Sequence, residues 1–424
     1  MATDNPVFVS GLRGTAAFEA NERPKNFRES ILWLDPNGMT PLTALSAKMK
    51  TESTDDPEFN WWEERLMAKR ALITNAAGTG TAFDLSATGI VSPAFMYKIG
   101  DILQVTPINA ANQMAAGLYG TAATVGATSA EIVRVTAITD SDTIAVTRNI
   151  GGLSAAITLS GTNTHQVTLI GSSFEEGSTS PDTRTSNPQQ TYNYTQIFKT
   201  AFGQTNTAMN TRYRTGDAFA NDRKRAMFTH SEQLEQASIW GVRTTGTGAN
   251  SQPLRTTAGL RQMLSSNVTI HASAINASYF LDTLSPLFDY NAGGAGDERI
   301  CFLGNSALNA IQKKMTESGT GFRMNYDGEV KFYGLNLLKY KIPQGTFYMK
   351  THPLFNQDPV YTKSMLVING KGLIRRPLKS RDTKIQTNIQ ANDADMRKDQ
   401  WLTEMGFEIQ YERTMGYYGN ISAT

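Results

Sequence analysis

Four histidines, one cysteine and two short clusters of glycine or aspartate are the side chains of this sequence best suited by type to chemistry. His165, His230, His271 and His352 are dispersed, with no metal-spaced pair and no HExxH run, so a zinc or other metal centre has no local ligand set. His230 falls in a helical apolar stripe, where a packed, hydrogen-bonded imidazole is expected rather than a ligand. Cys301 lies in "ERICFLG", an apolar strand-like run that suits a buried small hydrophobe better than a reactive thiolate. A single cysteine makes no intrachain disulfide and points to a reducing compartment. "GGAGDE" at 293–298 places Gly294 and Gly296 without the third glycine of a dinucleotide loop, so it reads as a loop only. Asp393, Asp395 and Asp399 imitate the alternate oxygens of a calcium loop, but Lys398 stands where that loop needs glycine. Neither a GxSxG elbow nor a GxxxxGK[ST] loop is present. Carboxylates from distant segments could still pair for acid–base work. With no concentrated polar constellation, the weight moves from catalysis to association, and neither cofactor nor metal is expected.

The elements that would position these residues are unusual in their reach. "TYNYTQIFKTAFGQTNT", residues 191–207, follows the polar tract "EEGSTSPDTRTSNPQQ" and alternates Tyr192, Tyr194, Phe198 and Phe202 with Thr191, Asn193, Thr195 and Lys199. That period of two predicts one strand with a single aromatic face, about 43 Å long from Thr191 to Gly203 at roughly 3.3 Å per residue. An edge of that length invites pairing with another chain. In "FNWWEERLMAKRALIT", residues 59–74, Trp61 and Trp62 point to opposite sides if the segment is a strand, while Trp62, Leu66 and Lys69 also keep helical spacing. "IGDILQV", "AEIVRVTAI", "DTIAVTRN" and "HQVTLIGS" predict a small antiparallel β-domain. The best helix is 217–241, capped by Asp217 and closed by Gly241 in the left-handed conformation. Phe219, Ala226, His230, Leu234, Ala237 and Trp240 form its stripe, with Asp222, Arg223, Arg225, Glu232 and Glu235 on other faces. Helices in "NASYFLDTLSPLF" and "NSALNAIQKKMTE" alternate with strands "RICFLG", "VKFYG", "TFYMKT" and "SMLVIN", which suggests a mixed α/β unit over about 262–370. "DTKIQTNIQ" and "QWLTEMGFEIQYE" predict a long closing hairpin with one buried face. Residues 1–57, with a short helix at 42–50, read either as an extended arm that needs another surface or as a disordered segment.

A chain of 424 residues exceeds one hydrophobic core, so two to four structural units are expected. No run approaches eighteen apolar residues, and "MATDNPVFVSGLRG" has no basic region before an apolar segment, which argues against a membrane span and a secretory signal. Forty Lys and Arg against 38 Asp and Glu give +2, without the basic excess of a dedicated nucleic-acid binder.

The order "FNWWEERL", "IGDILQV", "IAVTRNIGG", "LIGSSFEEGS", "NYTQIF", then a long helix ending "EQASIWG", resembles the major capsid proteins of tailed bacteriophages, in particular the coliphage SU-ten type. "QPLRTTAGL", "GTFYMKTHPLF" and "WLTEMGFEIQYERTMGYYGNI" extend the resemblance over nearly the whole chain beyond the first fifty residues. It implies an α+β fold of Hong Kong 97 type: N-terminal arm (1–57), extended loop (58–80 and 171–215), inserted β-domain (81–170), peripheral domain with spine helix (216–261), axial domain (262–370) and a peripheral C-terminal hairpin (371–424). It implies hexamers and pentamers closing an icosahedral head around double-stranded DNA held without sequence-specific contacts. A separate scaffolding protein, a portal and a possible decoration protein are the expected partners, with assembly in the bacterial host cytoplasm and no membrane. The side chains offered to neighbouring subunits are Trp61, Trp62, Tyr192, Tyr194, Phe198, Phe202, Glu175, Glu176 and Arg184. An encapsulin-like cellular shell and a phage tail or decoration protein are the competing readings.

Overall fold

The computed structural model describes residues 40–46, 50–64, 69–75, 80–87, 90–108, 130–150, 159, 165–213, 215–276, 279–290, 297–317, 325–332 and 335–423. Of the expected arm over 1–57, residues 1–39 lie outside the described residues, as do the glycines of the 293–298 loop. In chain order the elements are α1 (Pro41–Ser46), β1 (Glu58–Glu63), β2 (Arg70–Ile73), β3 (Ala82–Ser86), β4 (Asp101–Pro107), β5 (Glu131–Ile138), β6 (Thr143–Thr147), β7 (His165–Ser172), β8 (Gln189–Tyr194), β9 (Gln196–Thr205), α2 (Asn206–Asn210) and α3 (Ala218–Trp240). They continue as β10 (Thr244–Thr247), β11 (Pro253–Thr256), α4 (Leu260–Met263), β12 (Val268–Ile270), α5 (Tyr279–Asp282), β13 (Glu298–Leu303), α6 (Asn305–Glu317), β14 (Asn325–Phe332), β15 (Leu335–Ile342) and β16 (Gly345–Thr351). The last are α7 (Pro353–Gln357), β17 (Met365–Ile368), β18 (Leu373–Pro377), β19 (Lys384–Gln386), β20 (Met396–Ile409) and β21 (Gly416–Gly419). Two compact units result, one of residues 64–189 and one made by the remainder.

The 64–189 unit is a closed barrel with strand order β2-β3-β6-β5-β4-β7. Alternation drives it: β4 turns Leu103 and Val105 inward, and Val133, Val135, Phe83, Ile144 and Val167 meet them in one core. Residues 90–100 close one end, where Ala94 and Tyr97 are fully buried and the Ala94 amide donates to Ser141 O at 3.0 Å. Arg70–Ile73 was expected in the first side of an extended loop; it is instead the barrel strand β2, paired to β3 and β7, because Ala71 and Ile73 alternate into the core.

The other unit holds a seven-stranded mixed sheet, β12-β21-β17-β13-β16-β15-β14, and a second sheet, β18-β20-β19 with β9 on β20. In β13, Ile300 and Phe302 enter one core while Cys301 and Leu303 enter another, so an apolar run without alternation is a strand covered on both faces. The Cys301 thiol is fully buried, and that burial pushes its pKa up. α3 lies on the second sheet, joined to it by Phe198, Leu234, Ile239, Met405, Phe407 and Ile409.

Five expectations need correction. The strand over 191–203 is two strands, β8 and β9, and burial changes parity between them: Asn193 and Thr195 are buried, then Phe198 and Phe202. The four aromatics therefore do not share a face. β19 and β20 pair antiparallel as the expected closing hairpin, but β20 has no single buried face; from Leu402 to Ile409 every residue is buried, since α3 covers one side and β1 approaches Gly406 on the other. Glu235, placed on an outer face of the helix, is fully buried. Gly241 has φ −53°, outside the left-handed region. It is glycine because a Cβ would stand 2.4 Å from Ala237 O and 2.6 Å from Thr257 O. Lastly, the expected helix at 42–50 starts at Pro41 and is helical to Ser46 within the described residues, and Leu42 and Leu45 dock in this chain's own core rather than on another surface.

Candidate interaction surface

β1 sorts its residues by parity. Phe59 and Trp61 face inward with ring centroids 6.2 Å apart, and Trp62 is left 63% exposed on the opposite side. Phe59 sits so close to Gly406 that a Cβ there would lie 2.8 Å from its ring. The Trp61 indole donates to Glu63 Oε1 at 3.3 Å, and the Tyr411 amide donates to the same oxygen at 3.2 Å. Burial holds the Glu63 carboxyl above the usual carboxylate range, against those two donors.

β8 pairs with β1, and the Thr195 amide donates to Pro57 O at 2.8 Å just beyond the pair. Asn193 pins β8 from the inside. Its Nδ2 donates to Phe407 O (2.7 Å) and Ala258 O (3.2 Å), while its Oδ1 accepts from Ala258 N and Tyr194 N, both at 2.8 Å. With Asn193 inward, Tyr192 and Tyr194 must face out, and their rings meet edge to face at 5.7 Å. The Arg243 guanidinium lies 3.8 Å over the Tyr192 ring and donates to Tyr192 O, which fixes the aromatic pair on the surface. Val242, Leu254 and Ile197 are exposed in the segments that follow β8.

The nine residues expected to serve neighbours therefore divide. Trp62 and Tyr192 are exposed and Tyr194 is half-buried on one ribbon. Glu175 and Glu176 are exposed in the other unit, where Arg184 is half-buried with its Nη1 buried and without a partner. Burial holds the Arg184 pKa below its ordinary value, against the pull of Asp101 and Asp182. Trp61, Phe198 and Phe202 are at most 8% exposed and are spent on this chain's own fold, Phe202 against Phe219 at 5.4 Å. Sequence reasoning missed Arg243. The only available signal was an arginine directly after the helix end "IWGV", which does not reveal what it stacks on.

Among the described residues no three His, Cys, Asp or Glu side chains converge as a metal site. Asp399 is buried and accepts from Asn388 N at 2.9 Å and Arg397 Nη2 at 3.2 Å. His230 is held between Thr200 Oγ1 (3.1 Å) and Thr403 Oγ1 (2.8 Å), and His352 Nε2 donates to Glu235 at 2.8 Å, since its Nδ1 accepts from Leu354 N. These side chains join elements: His230 ties α3 to β9 and β20, and Glu235 of α3 meets His352 just ahead of α7.

The family model described as SU10 major capsid protein matches residues 10–422. The major capsid protein of Pseudomonas phage PaMx41 is 24% identical over 380 residues, covering 85% of this chain and 80% of that protein. Among solved structures, the capsid of Myoviridae phage XM1 aligns with TM-score 0.43 and 6% identity over 97% of this chain and all of that one. The holo-SrpI encapsulin complex of Synechococcus elongatus aligns with TM-score 0.40 and 9% identity over 57% of this chain and 79% of its own.

Proposed function

The chain belongs to the SU10 major capsid protein family: it is a phage major capsid protein, a structural component of the virion that assembles in many copies into an icosahedral shell, and from that premise we propose which surfaces make the shell. The ribbon of β1 and β8 reaches an adjacent subunit with Trp62, Tyr192 and Tyr194, and Arg243 holds the aromatic pair in place. Glu175, Glu176 and Arg184 supply further contacts from the other unit. The subunits group as hexamers and pentamers in a Hong Kong 97-type arrangement, with α3 as the spine and the seven-stranded sheet in the axial domain. Double-stranded DNA is enclosed without sequence-specific contacts, consistent with a charge of +2. A separate scaffolding protein, a portal and a decoration protein complete the assembly in the host cytoplasm. The shell has no catalytic role.

The observation that carries this reading is the family match along 10–422, together with the exposed Trp62 and Tyr192 on a ribbon whose inner face is already satisfied. Each contact need supply only about 8 kcal/mol, micromolar affinity, because every subunit touches several others and closure combines them. Weak contacts let misplaced subunits leave, and closure makes the finished shell persistent.

Electron microscopy of the protein expressed with its scaffolding partner should show icosahedral particles. The Trp62→Ala, Tyr192→Ala double variant should remain folded while particle yield falls at least tenfold. Particles of unchanged yield would remove the ribbon from the interface. Small rings or tubes from the unaltered chain, or particles filled with enzyme cargo in place of DNA, would overturn the wider proposal.

A further inference from the structure

The closed end of the barrel carries an apolar surface that the ribbon does not explain. Along residues 90–100, Ala94 and Tyr97 plug the barrel, while the large side chains Val91, Phe95 and Ile99 around them are turned out, each at least 52% exposed. Phe174 joins them: a Cβ on Gly100, which has φ +91°, would lie 2.8 Å from the Phe174 ring. Ile170 adds a fifth, because Ile102 pairs with Gly171 and Leu103 with Leu169, which leaves Ile170 out of the β4–β7 ladder and 53% exposed. Five such side chains at one end of a small closed domain mark an interaction surface, since a barrel with a complete core gains nothing by exposing them.

Charge narrows the partner. Exposed Glu175 and Glu176 directly follow Phe174, and Asp140 and Asp142 sit in the β5–β6 turn that the Ala94 amide grips through Ser141. Lys98, Arg134 and Arg184 also lie near this end, with Arg184 facing Asp101 and Asp182. Carboxylates outnumber cations at this end, so two copies meeting patch to patch gather like charge, and a basic surface is the better match. The complementary surface exists elsewhere on this chain. α3 exposes Met227 one turn beyond exposed Arg223 and Lys224, while Arg225 lies on another side of the helix beside Asp222. We propose that the apolar barrel end of one copy docks on the Met227 side of α3 in a second copy, its glutamates meeting the basic residues there. The proposal rests on the reading that the chain assembles with itself, and it adds a head-to-tail contact separate from the ribbon.

Mixed shells of Glu175→Cys chains and Met227→Cys chains, treated with a short bifunctional maleimide, test it. Native Cys301 is fully buried and stays silent. A covalent dimer on a denaturing gel should appear in the mixture and be absent from shells of either variant alone. Adding Phe95→Ser and Ile99→Ser to the Glu175→Cys chain should lower the dimer yield at least tenfold without shifting the melting temperature. Intact mixed shells with no dimer would sink this contact while leaving shell assembly standing. A dimer from Glu175→Cys shells alone would replace it with a patch-to-patch contact, and failure of the unaltered chain to form shells would instead strike the assembly reading.

Discussion

Gly241 shows what a single residue can conceal in a sequence. Its place at the end of a long amphipathic run was legible, but the run does not show that Gly259 returns beside it, with the Gly259 amide donating to Gly241 O at 2.8 Å. Two backbones touch there, and a methyl on either residue would collide with main-chain atoms, 2.4 Å from Ala237 O at Gly241 and 2.6 Å from Gly241 N at Gly259. Gly241→Ala should therefore cost about 2 kcal/mol or more, despite the better helix propensity of alanine, read as a lower denaturant midpoint of soluble capsomers. His230 makes a pH prediction of definite sign. Burial holds its pKa below the ordinary 6.5, so between the two values the unfolded chain takes up a proton that the native chain refuses. Its stability contribution is full above about pH 6.5 and is lost as pH falls toward the folded value. Melting temperatures at pH 7.5 and 5.5 should differ less in His230→Gln than in the unaltered protein. His271, also lowered by burial, should keep part of the slope.

At the scale of elements, strand and helix types were legible from period and turn chemistry, whereas the faces were not. Alternation announced a strand around Tyr192 and Phe202, yet the reversal near Thr195 is decided by partners far along the chain, at Ala258 and Phe407. An asparagine in an aromatic strand reads as a solvent residue; its four hydrogen bonds make it a pin. Asn193→Ala strands the Ala258 amide and weakens the join to β20, so a loss of about 2–3 kcal/mol is expected, with renewed exposure of residues 189–195 to hydrogen exchange. α1 makes the same point from the other side. Six residues cannot sustain a helix in water. Pro41–Ser46 holds because Leu42 and Leu45 are buried and the Leu42 amide donates to Glu235 at 2.7 Å. Leu42→Ala should cost about 2–5 kcal/mol and open the 40–50 segment to protease before the rest of the chain.

For the whole molecule, length and punctuation predicted more than one unit, and the β-rich tract announced the second. What neither revealed was that closure begins at Arg70, since "RALI" is too short to be told from a loop until it completes a barrel. Closure has an energetic consequence. The barrel core of Leu103, Val105, Val133, Val135 and Phe83 is complete within residues 64–189, while Glu235, His352 and the α3 core belong wholly to the other unit. Cores that share no side chains need not melt together, so unassembled subunits should unfold in two calorimetric transitions rather than one. Replacing residues 69–172 with a short glycine-rich linker should delete one transition and leave the midpoint of the other within a few degrees. A single transition in the unaltered subunit, or a common collapse of both on deletion, would mean that the units are coupled in stability and that the barrel is no independent insertion.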